Sequence, residues 1–306
     1  MELDKKDVNS IKKIDIHVHA TMEKSGVLRS NGETMATADE LVAMYDELGV
    51  EKGVLLPLVS PEGQLEMIDN RETREIVAKY PDRFYWFCNI DPRQFSNAPD
   101  SDFSGAIKYY KSLGAKGIGE MTSNLYFDDP LVMRLFEYCE EYDLPVTFHI
   151  GYMGGDYGLV DDMGLPRLEK VLKTFPKLRF LGHSQKFWSQ IGGDLVEADR
   201  GGFPQGKVVE GGRVVELMRM YPNLCGDLSA GSGVNSMVRD PEFACKFMEE
   251  FQDRLFYGTD ICAPGNIREL RVKLPVYLEE WYKQGMISYE VCEKVLRTNA
   301  LRLLEN

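Results

Sequence analysis

The fold is decided by a repeated unit that begins with Lys13-Ile14-Asp15-Ile16-His17-Val18-His19, a short apolar run that ends in two histidines. Seven further short runs of apolar or β-branched residues follow it at Gly53–Leu58, Phe84–Asn89, Lys116–Glu120, Pro145–His149, Arg179–His183, Leu224–Asp227 and Leu255–Gly258. Between these runs the apolar residues recur at helical spacing, as they do from 41 to 48. The pattern predicts eight strands that alternate with helices.

A short motif marks the junctions at which a helix ends and the next strand begins. Tyr80-Pro81-Asp82-Arg83, Phe175-Pro176-Lys177-Leu178 and Tyr221-Pro222-Asn223-Leu224 share an aromatic residue, a proline and a turn residue. Proline cannot continue a helix, so each motif ends one. Alternating strands and helices imply parallel pairing with right-handed crossovers. Eight units in 306 residues predict an α/β protein with one (β/α)₈ TIM barrel domain over 1–306.

An open, doubly wound sheet would show the same alternation, but no Gly-x-Gly-x-x-Gly motif follows a strand to support a dinucleotide site. The segment Ser184–Gly212 is too long for an ordinary connection. We interpret it as an insertion of about 184–212 that either covers a substrate or forms a flexible surface loop, and the sequence favours neither.

The composition restricts the class of partner. The formal net charge of −13 argues against a nucleic-acid surface, which needs clustered Lys and Arg. The polar N-terminal segment lacks the apolar core of a signal peptide, and no apolar run is long enough for a bilayer. The six cysteines include no Cys-x-x-Cys pair and are expected to be reduced and buried. We expect a cytoplasmic protein with a small-molecule substrate and no membrane partner, and homo-oligomerisation stays open.

The four histidines of the chain, His17, His19, His149 and His183, all fall at predicted strand ends. Asp260 follows the eighth strand. In a strand, residues i and i+2 point to the same face, so His17 and His19 should project together. A single His at a strand end is more often structural than a ligand, and a His-x-His pair alone is a weak motif. A barrel, however, gathers its strand ends into one mouth, and so the five residues together predict a site.

This constellation resembles the amidohydrolase superfamily and, within it, the amidohydrolase-2 branch. The resemblance covers nearly the whole chain and includes Gly226-Asp227-Leu228-Ser229-Ala230 at strand seven. It implies that His17, His19, His149 and Asp260 bind a metal ion, and that His183 is the catalytic histidine or a ligand of a second ion. Some relatives carry a carboxylated lysine at the end of strand four, where this chain has Glu120. Glu120 is then either a bridging ligand, which we favour slightly, or a partner of the ligands.

The resemblance implies two chemistries. The first is hydrolysis of an amide, lactone or related carbonyl by metal-activated water, with Asp260 accepting a proton and His183 stabilising the developing charge. The alternative is a metal-dependent, non-oxidative decarboxylase of the aminocarboxymuconate-semialdehyde or resorcylate decarboxylase type. The mixed N/O donors favour Zn²⁺, or Mn²⁺ if carboxylates dominate, with one or two ions bound. Glu120 tilts the sequence interpretation toward the hydrolase.

A decarboxylase needs a cation for the acid group of its substrate, and five basic residues occur in predicted loops. Each of them is more often a solvated surface charge than a substrate ligand. The residues are Arg29, Arg167, Lys186, Arg200 and Arg213. A barrel that binds a ligand without catalysis is the remaining class, but such a barrel would be expected to lose ligand residues, and all of them are present.

Overall fold

The structure is a computed structural model that describes residues 6–29, 32–62 and 66–305. Met1–Lys5 and Asn306 of the predicted domain lie outside the described residues. The strands are β1 (Lys13–Val18), β2 (Val50–Leu55), β3 (Phe84–Trp86), β4 (Ile118–Met121), β5 (Val146–Gly151), β6 (Leu159–Val160), β7 (Phe180–His183), β8 (Leu224–Asp227) and β9 (Leu255–Phe256). The α-helices are α1 (Ala38–Leu48), α2 (Asn70–Lys79), α3 (Ser104–Ser112), α4 (Pro130–Glu141), α5 (Pro166–Thr174), α6 (Gln185–Trp188), α7 (Arg213–Met220), α8 (Ala230–Val238), α9 (Pro241–Glu250), α10 (Leu274–Lys283), α11 (Tyr289–Glu293) and α12 (Asn299–Leu304).

Eight of these strands close into a ring, and every pairing is parallel. β1, β2 and β3 form one hydrogen-bonded sheet, and β4, β5, β7, β8 and β9 form another. Parallel bridges join Cys88 to Ile118 and Val18 to Ile261, which links the two sheets at both seams. Ile16 N also donates to Tyr257 O at 2.9 Å. The predicted (β/α)₈ barrel is therefore confirmed, and β6 is a two-residue addition that pairs with β5 outside the ring.

Two apolar layers hold the barrel together. The larger lies between the strands and the outer helices. The smaller fills the barrel interior with side chains such as Ile14, Val54 and Phe87, and Leu303 and Leu304 of α12 pack into the same cluster. Burial of apolar surface on this scale is the main stabilising contribution to such a fold. The six cysteines are free and buried, as the sequence predicts.

Several strand boundaries differ from the sequence prediction by one to three residues. β2 ends at Leu55 rather than Leu58, because Pro57 cannot donate a hydrogen bond to a neighbouring strand. The sequence predicts one closing helix over Tyr289–Leu304. In the structure a π-helical segment, Lys294–Thr298, lies between α11 and α12. Of the predicted insertion, the first part is packed into the fold: Phe187 and Trp188 are buried, and Trp188 Nε1 donates to the backbone of β8 at 2.8 Å. Residues 192–212 are mostly exposed or half-buried, although Phe203 lines the cavity described below.

Short 3₁₀ helices complete the described elements. They are Val8–Ser10, Ser189–Ile191, Glu197–Asp199, Pro264–Arg268 and Leu270–Val272. Among the helices that the structure describes, none combines the length and the hydropathy that a membrane span requires.

Candidate active site

The residues that the sequence singles out meet at one end of the barrel. His17 lies in β1 and His19 follows it, Glu120 lies in β4, His149 lies in β5, His183 ends β7, and Asp260 follows β9. The register of β5 and β7 sets His149 directly opposite His183. All four histidines and Glu120 are buried. The barrel thus brings together all six residues, although they come from five strands.

Four donor atoms converge on one point at this end. Nε2 of His17 and Nε2 of His19 lie 3.1 Å apart. Oε2 of Glu120 lies 3.5 Å and 3.4 Å from these two nitrogens, and Oδ1 of Asp260 lies 3.8 Å and 3.5 Å from them. Donors bound tetrahedrally at about 2.0–2.2 Å lie roughly 3.3–3.6 Å apart. The spacing of His17, His19 and Glu120 therefore fits a shared metal ion, and Asp260 lies close enough to the two histidines to be a further ligand.

Glu120 faces a second pair of histidines with its other oxygen. Oε1 lies 2.7 Å from Nδ1 of His149 and 3.7 Å from Nε2 of His183. Burial opposes ionisation of Glu120, but the positive charge on His17 and the hydrogen bond from His149 outweigh it and hold the pKa of Glu120 well below its usual range. One carboxylate therefore joins two histidine pairs. His149 contacts Oε1 of Glu120, whereas His17 and His19 lie near Oε2.

The first histidine pair is oriented by contacts behind it. Nδ1 of His17 lies 2.6 Å from Oδ2 of Asp227, and Nδ1 of His19 lies 2.8 Å from the carbonyl oxygen of Leu56. Such partners hold a proton at Nδ1 and direct the Nε2 lone pair toward a metal. Asp227 was not among the predicted site residues, although it is the last residue of a predicted strand and lies in the Gly226-Asp227-Leu228-Ser229-Ala230 motif of the family resemblance.

A close backbone approach is needed where these residues meet. A Cβ atom at Gly258 would lie 2.7 Å from Cβ of Ser229 and 3.3 Å from Cβ of His17. Only glycine avoids both contacts. Gly258 therefore allows the end of β9 to pack against β1 and β8.

His183 has a different environment from the other histidines. Its Nδ1 lies 2.9 Å from Oγ of Ser229 and 3.6 Å from Oδ2 of Asp227. Burial, and then the positive charge on His17, lower the pKa of His183 to about 4. His183 is therefore neutral at physiological pH, with Nε2 directed to the side of Glu120.

Asp260 is held by an arginine that the sequence analysis did not identify. Nη1 of Arg271 donates to the backbone oxygen of Asp260 at 2.5 Å and lies 3.2 Å from Oδ2. Asp260 itself has a φ of 53°, an uncommon conformation for a non-glycine residue. Burial raises the pKa of Asp260, but contacts with His19 and the charge of Arg271 outweigh it and hold this pKa below its usual range. The carboxylate is therefore ionised, with Oδ1 left to face the histidines.

A cavity of about 310 Å³ opens onto the cluster, a volume within the range that suits a small molecule. Part of its wall is apolar, with Leu58 and Phe203. Arg29 also lines it, and in the described part of the chain Arg29 forms no ion pair. The other four predicted basic residues do not line this cavity and pair elsewhere: Arg167 with Asp128, Lys186 with Asp156, Arg200 with Glu197, and Arg213 with Glu169.

Comparison with known proteins gives the family. The model of the amidohydrolase-2 family, described as Amidohydrolase, matches residues 14–305. The chain therefore belongs to this family, as the sequence resemblance predicted. No curated protein matches the sequence significantly.

Solved structures share the fold at low sequence identity. 5-Carboxyvanillate decarboxylase from Sphingomonas paucimobilis superposes with a TM-score of 0.58 at 17% identity, covering 97% of this chain and 99% of that one. Dihydroxybenzoic acid decarboxylase from Polaromonas sp. JS666, with bound manganese and 2-nitroresorcinol, gives 0.57 at 18% identity, covering 96% of each chain. A probable 2-pyrone-4,6-dicarboxylic acid hydrolase from Acinetobacter baumannii gives 0.58 at 13% identity, covering 96% and 100%.

Proposed function

We propose that this protein is a metal-dependent, non-oxidative decarboxylase that acts on a small carboxylic acid. The observation that carries the proposal is the cavity itself, which has a cluster of side chains that could bind a metal and a cation, Arg29, that forms no ion pair with any residue the structure describes. A buried or half-buried guanidinium without a carboxylate partner is suited to bind the carboxylate of a ligand. The decarboxylases among the similar structures support this choice over the hydrolase that the sequence analysis favoured.

The proposed ion site consists of His17, His19, Glu120 and Asp260. Two of its four donors are carboxylate oxygens, which suits Mn²⁺ as well as Zn²⁺. Because the Polaromonas enzyme has bound manganese, Mn²⁺ is the first ion to test. A divalent ion at this position would act as a Lewis acid toward oxygen atoms of the substrate.

The protein side chains would then position the acid and handle its proton. Loss of CO₂ leaves the electron pair of the broken C–C bond on the substrate carbon, which must take up one proton. We assign this proton transfer to His183, because Nε2 lies toward Glu120 while Ser229 contacts Nδ1. The Ser229 hydroxyl can donate to Nδ1, so the single proton of the neutral ring can lie on Nε2; once it has been transferred to the substrate carbon, a proton from solvent would replace it. Arg29 would bind the acid group and hold it over the cluster.

Hydrolysis is the second candidate, and Glu120 is the observation that favours it. Its two oxygens face different histidine pairs, as expected of a carboxylate that bridges two ions. In this case His149 and His183 would hold the second ion together with Glu120, and Asp260 would accept a proton from water. The two functions thus differ in the number of bound ions and in whether His183 binds an ion or transfers a proton.

The experiment measures metal content and product together. Purified protein is stripped with a chelator, reloaded with Mn²⁺ or Zn²⁺, and analysed by elemental mass spectrometry. The reloaded protein is then given aromatic carboxylates, lactones and amides, and CO₂ release is followed. One ion per chain with CO₂ release supports the decarboxylase. Two ions with hydrolysis of lactones or amides and no CO₂ would refute it in favour of the hydrolase, and absence of stoichiometric metal would refute both.

A variant separates the two ion arrangements further. If Glu120 bridges two ions, Glu120→Gln should bind fewer ions than the wild type, because an amide is a poor bridging ligand. Retention of two ions in this variant would remove the bridging role. Arg29→Met tests the acid-binding role. If Arg29 binds the carboxylate equally in the ground state and the transition state, the variant should raise KM and leave kcat nearly unchanged.

A further inference from the structure

Tyr157 lines the cavity and has a hydroxyl group that could contact a ligand. It lies on the loop between β5 and β6, and its ring packs on His149 with ring centroids 4.4 Å apart. The side chain is half-buried and lines the same cavity as Arg29 and Glu120. In the described part of the chain its hydroxyl has no hydrogen-bond partner. Because the side chain lines the cavity, this donor is available to whatever occupies it.

The loop that carries Tyr157 is held by several polar contacts. Asn124 Nδ2 donates to the backbone oxygen of Tyr152 at 2.8 Å, and Asn124 Oδ1 accepts from the backbone of the same loop at 2.8 Å. Asp156 accepts from the backbone N–H of Tyr152 at 3.0 Å and pairs with Lys186 at 2.7 Å. These contacts fix the backbone on both sides of the loop. The ring of Tyr157 is therefore positioned before a ligand enters, which lowers the entropic cost of using its hydroxyl.

We propose that the Tyr157 hydroxyl donates a hydrogen bond to an oxygen substituent of the substrate, and that Tyr157 thereby selects acids that carry such an oxygen. The inference rests on the proposed function, which supplies the acid group bound by Arg29. Tyr157 adds a second polar contact to the substrate, on the side of the cavity where its ring packs on His149. The apolar part of the wall, with Leu58 and Phe203, is left for the carbon skeleton. The substrate class is therefore a small acid with an apolar carbon skeleton that carries a hydroxyl or carbonyl group.

The test compares Tyr157→Phe with Tyr152→Phe. Tyr152 provides a matched control because it lies on the same loop but does not line the metal cavity, and its ring packs against Lys186 at 4.4 Å. Both variants and the wild type are loaded with Mn²⁺, and their metal content is measured. Calorimetry then gives the affinity of each protein for benzoate and for the three monohydroxybenzoates. These probes differ only in one hydroxyl group and its position.

In the wild type we expect at least one hydroxybenzoate to bind about 5- to 10-fold more tightly than benzoate, as a hydrogen bond between neutral groups predicts. Tyr157→Phe should lose this preference while its metal content and its affinity for benzoate stay within about 2-fold of the wild type. Tyr152→Phe should keep the preference. This pattern isolates the hydroxyl, because a structural role for Tyr157 would change benzoate affinity and metal content as well.

Three results would overturn the inference. They are a wild type that binds no hydroxybenzoate more tightly than benzoate, a Tyr157→Phe variant that keeps the preference, and a variant that loses benzoate or metal to the same extent. The inference and the proposed function fail separately. If the preference depends on Tyr157 but no acid releases CO₂, the hydroxyl contact is supported and the decarboxylase is refuted.

Discussion

Replacing Asp227 with asparagine tests whether the cluster is a metal site. The substitution keeps the size of the side chain but removes its charge from a contact in which both partners are fully buried, with Oδ2 2.6 Å from Nδ1 of His17. A hydrogen bond to a charged group contributes about 1.5–3 kcal/mol, and about 1.4 kcal/mol changes an equilibrium constant tenfold. We therefore expect Asp227→Asn to raise the Kd for Mn²⁺ or Zn²⁺ by about 10- to 100-fold, as for other carboxylates behind a metal-ligating histidine.

The assay is a competition titration of metal-free protein against a chromogenic chelator. Asp161→Asn is the matched control, because Asp161 is also buried and accepts hydrogen bonds, from the backbone N–H groups of Arg167 and Leu168, but does not line the metal cavity. This control should lower the free energy of unfolding without changing the Kd. If Asp227→Asn binds metal within about 3-fold of the wild type, or if Asp161→Asn weakens binding equally, the assignment of Asp227 behind a metal ligand is refuted.

Three further predictions follow from the same geometry. Metal affinity should rise with pH: burial lowers the pKa of His17, but the charges of Asp227 and Glu120 raise it well above its ordinary value, so the metal displaces a proton. Calorimetry in buffers of different ionisation enthalpy should detect proton release, and a pH-independent Kd would contradict this. Gly258→Ala should lower the free energy of unfolding by about 1–3 kcal/mol in urea denaturation, since its Cβ would collide with Ser229, and an unchanged midpoint would contradict the contact. Glu120→Gln should lower the number of bound ions from two to one if the carboxylate bridges two of them, whereas in a one-ion site it should raise the Kd of that ion; elemental analysis and the chelator titration distinguish the two results.

The barrel and the group of site residues could be predicted from the sequence for a shared physical reason. Alternating strands and helices leave few topologies, and in a closed parallel barrel all the carboxyl ends of the strands lie on one side. His17 and Asp260 are far apart in sequence, but each is placed by its own strand end. No side-chain detail is needed to bring them to the same mouth.

The contacts inside the site could not be predicted in this way. Asp227 and His17 are separated by 210 residues, and their hydrogen bond depends on the rotamers of both side chains. Each oxygen of Glu120 faces a different histidine pair, and this arrangement also depends on side-chain rotamers. Tyr157 lies on a loop whose course is set by Asn124 and Asp156, and neither residue signals this contact in the sequence. Strand position is encoded locally, whereas these orientations depend on long-range packing.

The electrostatics of the cluster connect its stability with its proposed chemistry. Three carboxylates, Glu120, Asp227 and Asp260, lie around the histidines, and burying anions without compensating charge is unfavourable. Without an ion, His17 supplies part of this charge by remaining protonated. A divalent ion would replace that proton and balance two carboxylates at once, so the same groups that make the metal-free site costly give it affinity for a metal. His183 is neutral in the same arrangement, because burial and the positive charge on His17 outweigh the carboxylates that favour its protonated form.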